Sequence, residues 1–510
     1  MKENKVGTSH AKNDEVNEMD SHHLATETPL TLLSNDPVKE VPPLERESSR
    51  AIQSESKAQN EENKEEEKKS KQSNEITVEN QPVKPKVTVL GGAFIITNIC
   101  LGTTIFTFAV KAKYLGLVWI LVVAVICGLV NYWSICRLID SSKGQKEMEY
   151  SDLVEHILGK KARTILNIII IIYSYLCILS LFAICYALIG RFIESVFFHG
   201  KYNQYDDFAD EVWGKPKYKY PFSIVIGILL FPICILKDMS KLVWAGYLGV
   251  GSVFYALLVV TVECHSYYNY YKTNTYIKDD PSTHVNWVNI GDAFTARLQF
   301  FKGFATMYAA YSCHTGIFPL YKEMKDEPKG DKKMKNSSLL AMGMTTGLHI
   351  LAITVSFLTE PINPQDLVIY RIPKNKDSYD VAMTIAKLLI AFALYLTLPS
   401  YYFGFRCSVA NAFNEGQVTT KFNLLCTIIS LVCCAIITAA YDKILNYLNY
   451  IGGFVSVFVC YLYPILMYIK VNGKGFKYWL NLLEFILAML LVIIGWIAGI
   501  STIIDDVEGN

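Results

Sequence analysis

A chain of 510 residues that is 52% hydrophobic and 13% aromatic, with a mean hydropathy of +0.25, is too apolar for a soluble protein of that length and reads as a polytopic membrane protein. Its formal net charge of +1 offers no bulk attraction for nucleic acid. The 13 cysteines form neither a disulfide framework nor a CxxC metal pattern; nearly all, including Cys100, Cys127, Cys177, Cys185, Cys433 and Cys434, sit in apolar runs where Cys behaves as a small hydrophobe.

Residues 1–86 are rich in Glu, Lys, Ser, Asn and Gln, and the stretch EENKEEEKKSKQ mixes both signs. This composition predicts a disordered cytosolic tail, suited to phosphorylation or trafficking signals, with solvated disorder as the default. It lacks a basic region followed by an apolar core, so no cleaved signal peptide is expected and the first span acts as the insertion signal.

Apolar runs of bilayer length then predict about eleven spans, near 87–110, 116–139, 163–190, 221–236, 242–264, 292–316, 337–359, 380–405, 422–440, 444–469 and 479–503. Pro232 is expected to kink the short fourth span. The loops Arg137 to Arg163 and Lys322 to Lys335 carry about six basic residues each, which places them on the cytosolic side with the tail. The segment Arg191 to Pro221 is balanced by Glu194, Asp206, Asp207, Asp210 and Glu211, and the C-terminal residues 504–510 carry no basic group. Both are therefore expected on the other side. The sequon at Asn336 falls in a loop read as cytosolic, so no glycan is expected there.

Three spans depart from lipid-facing composition. The first, Val87 to Gly116, carries Gly91, Gly92, Gly102, Asn98 and a cluster of Thr97, Thr103, Thr104 and Thr107 at mid-span. Glycines beside hydroxyls suit either close helix packing or a helix that unwinds, leaving carbonyls and amides free to meet a substrate or an ion. The sixth places Lys302, Gly303, Ser312, Cys313, His314 and Thr315 along one buried helix. The eighth sets Thr397 two residues before Pro399, and oxygen ligands of that kind suit Na⁺ better than imidazole or thiolate would. Polar groups inside a membrane are costly and usually face a cavity or one another. His314, near the end of its span, reads as a packing or gating residue and not a metal ligand, because no second His or acid lies at ligand spacing. Lys302 reads as ion-paired in the bundle or snorkelling. Glu263, His265, Lys387 and Glu484 read as interfacial, and the tyrosine-rich run around Tyr267 as an aromatic belt leading into an external loop.

In these residues the sequence resembles the amino acid/auxin permease family. Asn98-Ile-Cys-Leu-Gly102-Thr-Thr104 with Lys113 and Gly116 is similar to the family's first-span pattern. Tyr311-Ser-Cys313-His314 with Tyr321-Lys-Glu323 is similar to its sixth, Thr397-Leu-Pro399 through Arg406 to its eighth, and Ile451-Gly452-Gly453 to Tyr463-Pro464 to its tenth. The likeness covers roughly residues 87–503, and four motifs in order make it specific.

The resemblance implies an all-α, LeuT-like fold of five-plus-five inverted repeats with an eleventh helix appended, and a mid-membrane site between broken first and sixth spans. It implies Asn98 and Thr397 as ligands of a coupling ion, Na⁺ or H⁺, and Asn98, Gly102, Thr103, Thr104 and Ser312 around the amino-acid substrate; the residues themselves leave open that Asn98 hydrogen-bonds another helix with no ligand and that Thr397 bonds its own i−4 carbonyl. A half-helix N-terminus there would offer amides to the substrate carboxylate. Two positions depart from the family: Thr104 replaces a second glycine, adding a methyl and a hydroxyl beside the docking backbone, and Ala109 stands where many members have proline. The expected activity is secondary active transport of amino acids, with neutral ones favoured, across a plasma, vacuolar or lysosomal membrane. No cofactor and no enzymatic activity are expected. The alternative is a non-transporting amino-acid sensor on the same fold. A channel is disfavoured because no TVGYG-type filter is present. An aspartyl protease is disfavoured because Tyr441-Asp442 lacks its partner motif, and nucleotide-driven transport because no Walker A pattern exists.

Overall fold

A computed structural model describes residues 87–102, 104–142, 149–197, 215–235, 243–274, 285, 287, 294–324, 330–362, 364–365, 367–371, 380–413, 418–441, 444–473 and 475–508. The expected tail 1–86, Thr103, Asp442, and 198–214 of the acid-and-base loop lie outside the described residues. All regular structure among those described is helical.

Helix α1 (Val89–Leu101) starts on Thr88, whose hydroxyl accepts from the Gly91 amide at 3.1 Å, an ordinary N-cap. It stops at Gly102, whose φ of 30° is a conformation that a side chain disfavours. A 3₁₀ turn, Thr104–Phe106, is fastened by the Thr107 hydroxyl donating to the Thr104 carbonyl at 2.7 Å. Helix α2 (Phe108–Leu115) follows, and the two halves of the span are bent by 54°. Gly116, at φ 83°, turns the chain into α3 (Leu117–Ser141).

Next come the short α4 (Tyr150–Leu158), the 38-residue α5 (Lys160–Phe197), α6 (Pro216–Cys234) and α7 (Val243–Asn274). The sixth expected span is two helices, α8 (Phe294–Ala310) and α9 (His314–Met324), set apart by Tyr311, Ser312 and Cys313. Helices α10 (Gly330–Thr359), α11 (Val381–Phe413) and α12 (Thr420–Ala440) lead to α13 (Ile444–Tyr450). From there the chain runs through π-helical turns, Ile451–Ser456 and Phe458–Leu462, into α14 (Tyr463–Val471), and α15 (Trp479–Glu508) closes it.

Among the described residues nine helices are long and apolar enough to cross a membrane, or ten if α1 and its continuation count as one span. The sixth is missing from that set because its pieces have 17 and 11 residues, too short singly for a hydrocarbon core of about 30 Å at 1.5 Å per residue.

Two readings made from the residues alone need correction, and two spans run further than expected. The sixth span is interrupted, as the resemblance implies, and is not the one helix its residues suggest, so His314 opens α9 at the break instead of lying near a span end, and it is fully buried. The tyrosine-rich run lies past the expected span end at 264 yet is helical, since α7 continues to Asn274 and buries Tyr267. Glu263 is not merely interfacial: it pairs with Arg371, whose side chain is wholly buried, lies 3.6 Å from Asp380 and sits 4.0 Å over the Tyr267 ring. Burial lowers the Arg371 pKa to about 10 while Asp380 opposes the shift, so the guanidinium stays charged at neutral pH. Finally, residues 504–508 are helical, and Asp506 accepts from Tyr441 and Tyr450 at 2.6 Å each and from Asn446 at 2.7 Å.

Two packing devices position the interior. Arg406 donates to the Cys234 carbonyl at 3.1 Å and to Asn423 at 2.8 Å, and Asn423 donates to the Ile235 carbonyl at 3.2 Å. Together they satisfy the C-terminal carbonyls of α6, where a cation also suits the helix dipole. The second device is glycine contact: Gly453 and Gly495 let the tenth span and α15 meet backbone to backbone.

Candidate functional site

The two interrupted spans leave carbonyls that their own helices cannot satisfy, and aromatic hydroxyls from other spans take them. Tyr401 of α11 donates to the carbonyl of Ile99, in the last turn of α1, at 3.2 Å. Tyr173 of α5 donates to the Ser312 carbonyl at the second break, at 3.1 Å. The two rings lie 6.4 Å apart, so one tyrosine serves each break. Asn131 of α3 donates to the Tyr311 carbonyl at 2.5 Å, while the Tyr311 hydroxyl reaches the Ala124 carbonyl and Thr346, both at 3.1 Å. The His314 ring nitrogen lies 3.3 Å from the Ser134 hydroxyl, which itself donates to the Cys460 carbonyl. His349, fully buried, points Nδ1 at the Thr345 carbonyl at 2.8 Å and packs its ring between Phe108 and Tyr311. The breaks are therefore held by partners, and no proline or glycine lies within Tyr311–Cys313.

The two residues expected at the ion site meet directly, although they are 299 positions apart. Asn98 Nδ2 donates to Thr397 Oγ1 at 2.9 Å, in a buried contact between α1 and α11. Thr397 in turn donates to the Ala393 carbonyl, one turn back, at 2.8 Å. That fixes the hydroxyl with its proton toward Ala393 and its lone pairs toward Asn98. The amide oxygen of Asn98 faces the backbone of α7: a Cβ on Gly249 would lie 1.9 Å from Asn98 Oδ1, so only glycine admits Asn98 in this position. The donor set here is amide, hydroxyl and carbonyl oxygen, which suits a hard cation such as Na⁺ better than a soft metal. Among the described residues there is no group of three or more His, Cys, Asp or Glu that could hold a metal.

Beside this pair lies a small cavity of about 30 Å³, lined among others by Ile99, Gly102, Thr104, Ser180, Tyr401 and Ile451. Ile99 follows Asn98 in the chain and Tyr401 is one helical turn beyond Thr397, so pair and cavity share their walls. A volume of this size is enough for water and smaller than an amino acid. Among the described residues no charged side chain lines it. Gly102 and Thr104, expected around the substrate, are present in the wall. Ser312 is at the break, but its hydroxyl donates to the Tyr308 carbonyl at 2.5 Å. Thr103 lies outside the described residues. Sequence reading missed Tyr173, Tyr401, Asn131 and Ser180, all of which read as ordinary members of apolar spans.

Replacing Tyr401 or Tyr173 by Phe leaves a buried carbonyl without its donor. Each change is expected to destabilise the protein by about 1–2 kcal/mol, read as a lower unfolding temperature in detergent. A Phe variant as stable as the parent would show that the hydroxyl does not hold the break.

A family model described as "Transmembrane amino acid transporter protein" matches residues 85–505. Among curated relatives, a sodium-coupled neutral amino acid symporter 2 from Danio rerio is 26% identical over 271 residues, covering 50% of this chain and 52% of the relative. The match thus spans about half of that relative's length. A sodium-coupled neutral amino acid transporter 7 from Xenopus laevis is 19% identical over 428 residues, covering 79% of this chain and 86% of the relative. Among solved structures, MhsT in complex with L-phenylalanine superposes with a TM-score of 0.53 at 12% identity, covering 82% of this chain and 98% of the other. At that identity the likeness bears on the fold alone, and the fold it supports is the LeuT-like one expected.

Proposed function

Since the chain belongs to the transmembrane amino acid transporter family, we propose that it is a secondary active transporter that carries neutral amino acids by alternating access, coupled to Na⁺. The observation that carries this reading is the contact of Asn98 with Thr397 at 2.9 Å, beside the cavity at the break of the first span. An oxygen-only donor set supports Na⁺ as the coupling ion. Two of the similar proteins are named sodium-coupled neutral amino acid carriers, which supports the same ion and substrate class. The lack of any charged residue in the cavity wall supports a substrate with an uncharged side chain, since an unpaired charge in a dry pocket is costly.

In this mechanism Gly102 and the following backbone amides meet the substrate carboxylate, the freed carbonyls near Ile99 and Ser312 meet its ammonium, and Asn98 and Thr397 hold the ion on the other side of α1. Binding closes the two breaks against α5 and α11, and the tyrosine hydroxyls at Ile99 and Ser312 are exchanged as the halves move. The basic loops support a cytosolic N-terminal side.

The test is uptake of radiolabelled amino acids into proteoliposomes under an imposed Na⁺ gradient or an imposed pH gradient. Uptake driven by Na⁺ is expected. Uptake driven by the pH gradient alone would replace Na⁺ with H⁺. Binding without uptake under either gradient would overturn transport and leave a sensor.

A further inference from the structure

Many helical hydroxyls in the interior are spent on their own helix. Ser312, Thr359, Thr397, Thr427, Ser456 and Thr502 each donate to the carbonyl four residues back, the usual way a membrane helix satisfies Ser and Thr. Ser180 of α5 does not, nor do Ser174, Ser337, Ser338, Thr345, Ser356, Thr438 and Ser501; of these helical hydroxyls without a partner, Ser180 is the one in the cavity wall at the break of the first span. Its hydroxyl is buried, at 2% residue exposure, and has no hydrogen-bond partner; the same holds for Thr104, at 4%. Both line the one cavity at the break of the first span. Two buried hydroxyls without partners would each forfeit roughly 1–3 kcal/mol, and they lie on different elements, α5 and the 3₁₀ turn after Gly102. Among the described residues the rest of the wall carries no charge, and the other hydroxyl in it, that of Tyr401, is already committed to the Ile99 carbonyl.

We propose that Ser180 is a specificity-determining residue: with Thr104 it forms a hydroxyl pair that hydrogen-bonds the side chain of a small, uncharged, polar amino acid. This inference rests on the transport reading above. A hydroxyl both donates and accepts, so the pair can satisfy a substrate hydroxyl or carboxamide, whereas an apolar side chain of the same shape would leave both hydroxyls unpaired. A site built to hydrogen-bond a substrate group rejects the analogue that lacks it. A small side chain follows from the tightness of the cavity.

The experiment compares isosteric pairs, serine with 2-aminobutyrate and threonine with valine, by kcat/KM for uptake into proteoliposomes. The parent protein is expected to prefer the hydroxyl member of each pair. Ser180→Ala is expected to cut that preference about tenfold, the value of one hydrogen bond, by lowering kcat/KM for serine and threonine while leaving 2-aminobutyrate and valine nearly unchanged. Ser180→Thr, which keeps the hydroxyl, should restore it, and Thr104→Val should reproduce the loss. If Ser180→Ala lowers both members of each pair equally, or Ser180→Thr does not restore the preference, Ser180 is a packing residue and the inference falls while transport stands. If the parent takes up no amino acid at all, the transport reading itself fails.

Discussion

Asn98→Ala is expected to reduce Na⁺-driven uptake by about 10- to 100-fold. The side chain supplies the donor to Thr397 Oγ1 at 2.9 Å, and its loss removes that buried bond, leaving Thr397 only its bond to the Ala393 carbonyl, together with one oxygen of the proposed ion site. A loss of about 1–3 kcal/mol for such a group corresponds to that range at 1.4 kcal/mol per factor of ten. Thr397→Ala should fall in the same range, and the double variant should cost no more than the worse of the two, because the residues act through one contact. Gly249→Ala provides an independent check that touches neither residue. Its added methyl would sit 1.9 Å from Asn98 Oδ1, so it must displace the amide, and it is expected to raise the Na⁺ concentration needed for half-maximal uptake. Unchanged Na⁺ activation in Gly249→Ala would mean that the position of Asn98 does not matter to the ion.

Gly452→Ala is expected to give the largest loss of stability of any single methyl addition considered. Its Cβ would lie 1.7 Å from the carbonyl oxygen of Ala305 and 2.5 Å from the carbonyl carbon, both backbone atoms that no rotamer change can move aside. The tenth span must then part from α8, and overpacking against fixed backbone is expected at the upper end of the usual range, about 3 kcal/mol. Close by, the Thr306 hydroxyl of α8 lies 2.8 Å from Asn449 Oδ1 on the tenth span, a second link between the same two spans, so activity should fall with stability. The measurement is thermal unfolding in detergent together with uptake. A variant that unfolds at the parental temperature would show that this approach of backbones is not required.

The membrane class, the order of the spans and the break after Asn98 were legible because glycine and threonine at mid-span are chemically out of place in an anchor. Asn98 and Thr397 were legible as polar groups out of place in a membrane span, and as partners in one proposed site only through resemblance to a family; their direct contact across 299 residues lies beyond any periodicity. The second break was legible only through the resemblance, since Tyr311-Ser312-Cys313 contains no helix breaker; tertiary partners such as Tyr173 and Asn131 hold it open. Those partners, with Tyr401 and Ser180, sit on helices whose composition is that of an ordinary span, and what marks them is a bond to a distant carbonyl or the lack of any bond. Arg371 and the helical reach of α7 were missed for a related reason. A tyrosine-rich stretch and an arginine between spans fit an exposed loop equally well until Glu263, Asp380 and Tyr267 are seen around the guanidinium.

The most direct test of the account is amino-acid binding to the purified protein as a function of Na⁺ concentration, in the parent and in Asn98→Ala. Binding that rises with Na⁺ in the parent and loses that dependence in Asn98→Ala is the predicted result. Binding with the same Na⁺ dependence in both would contradict the placement of the coupling ion at Asn98 and Thr397.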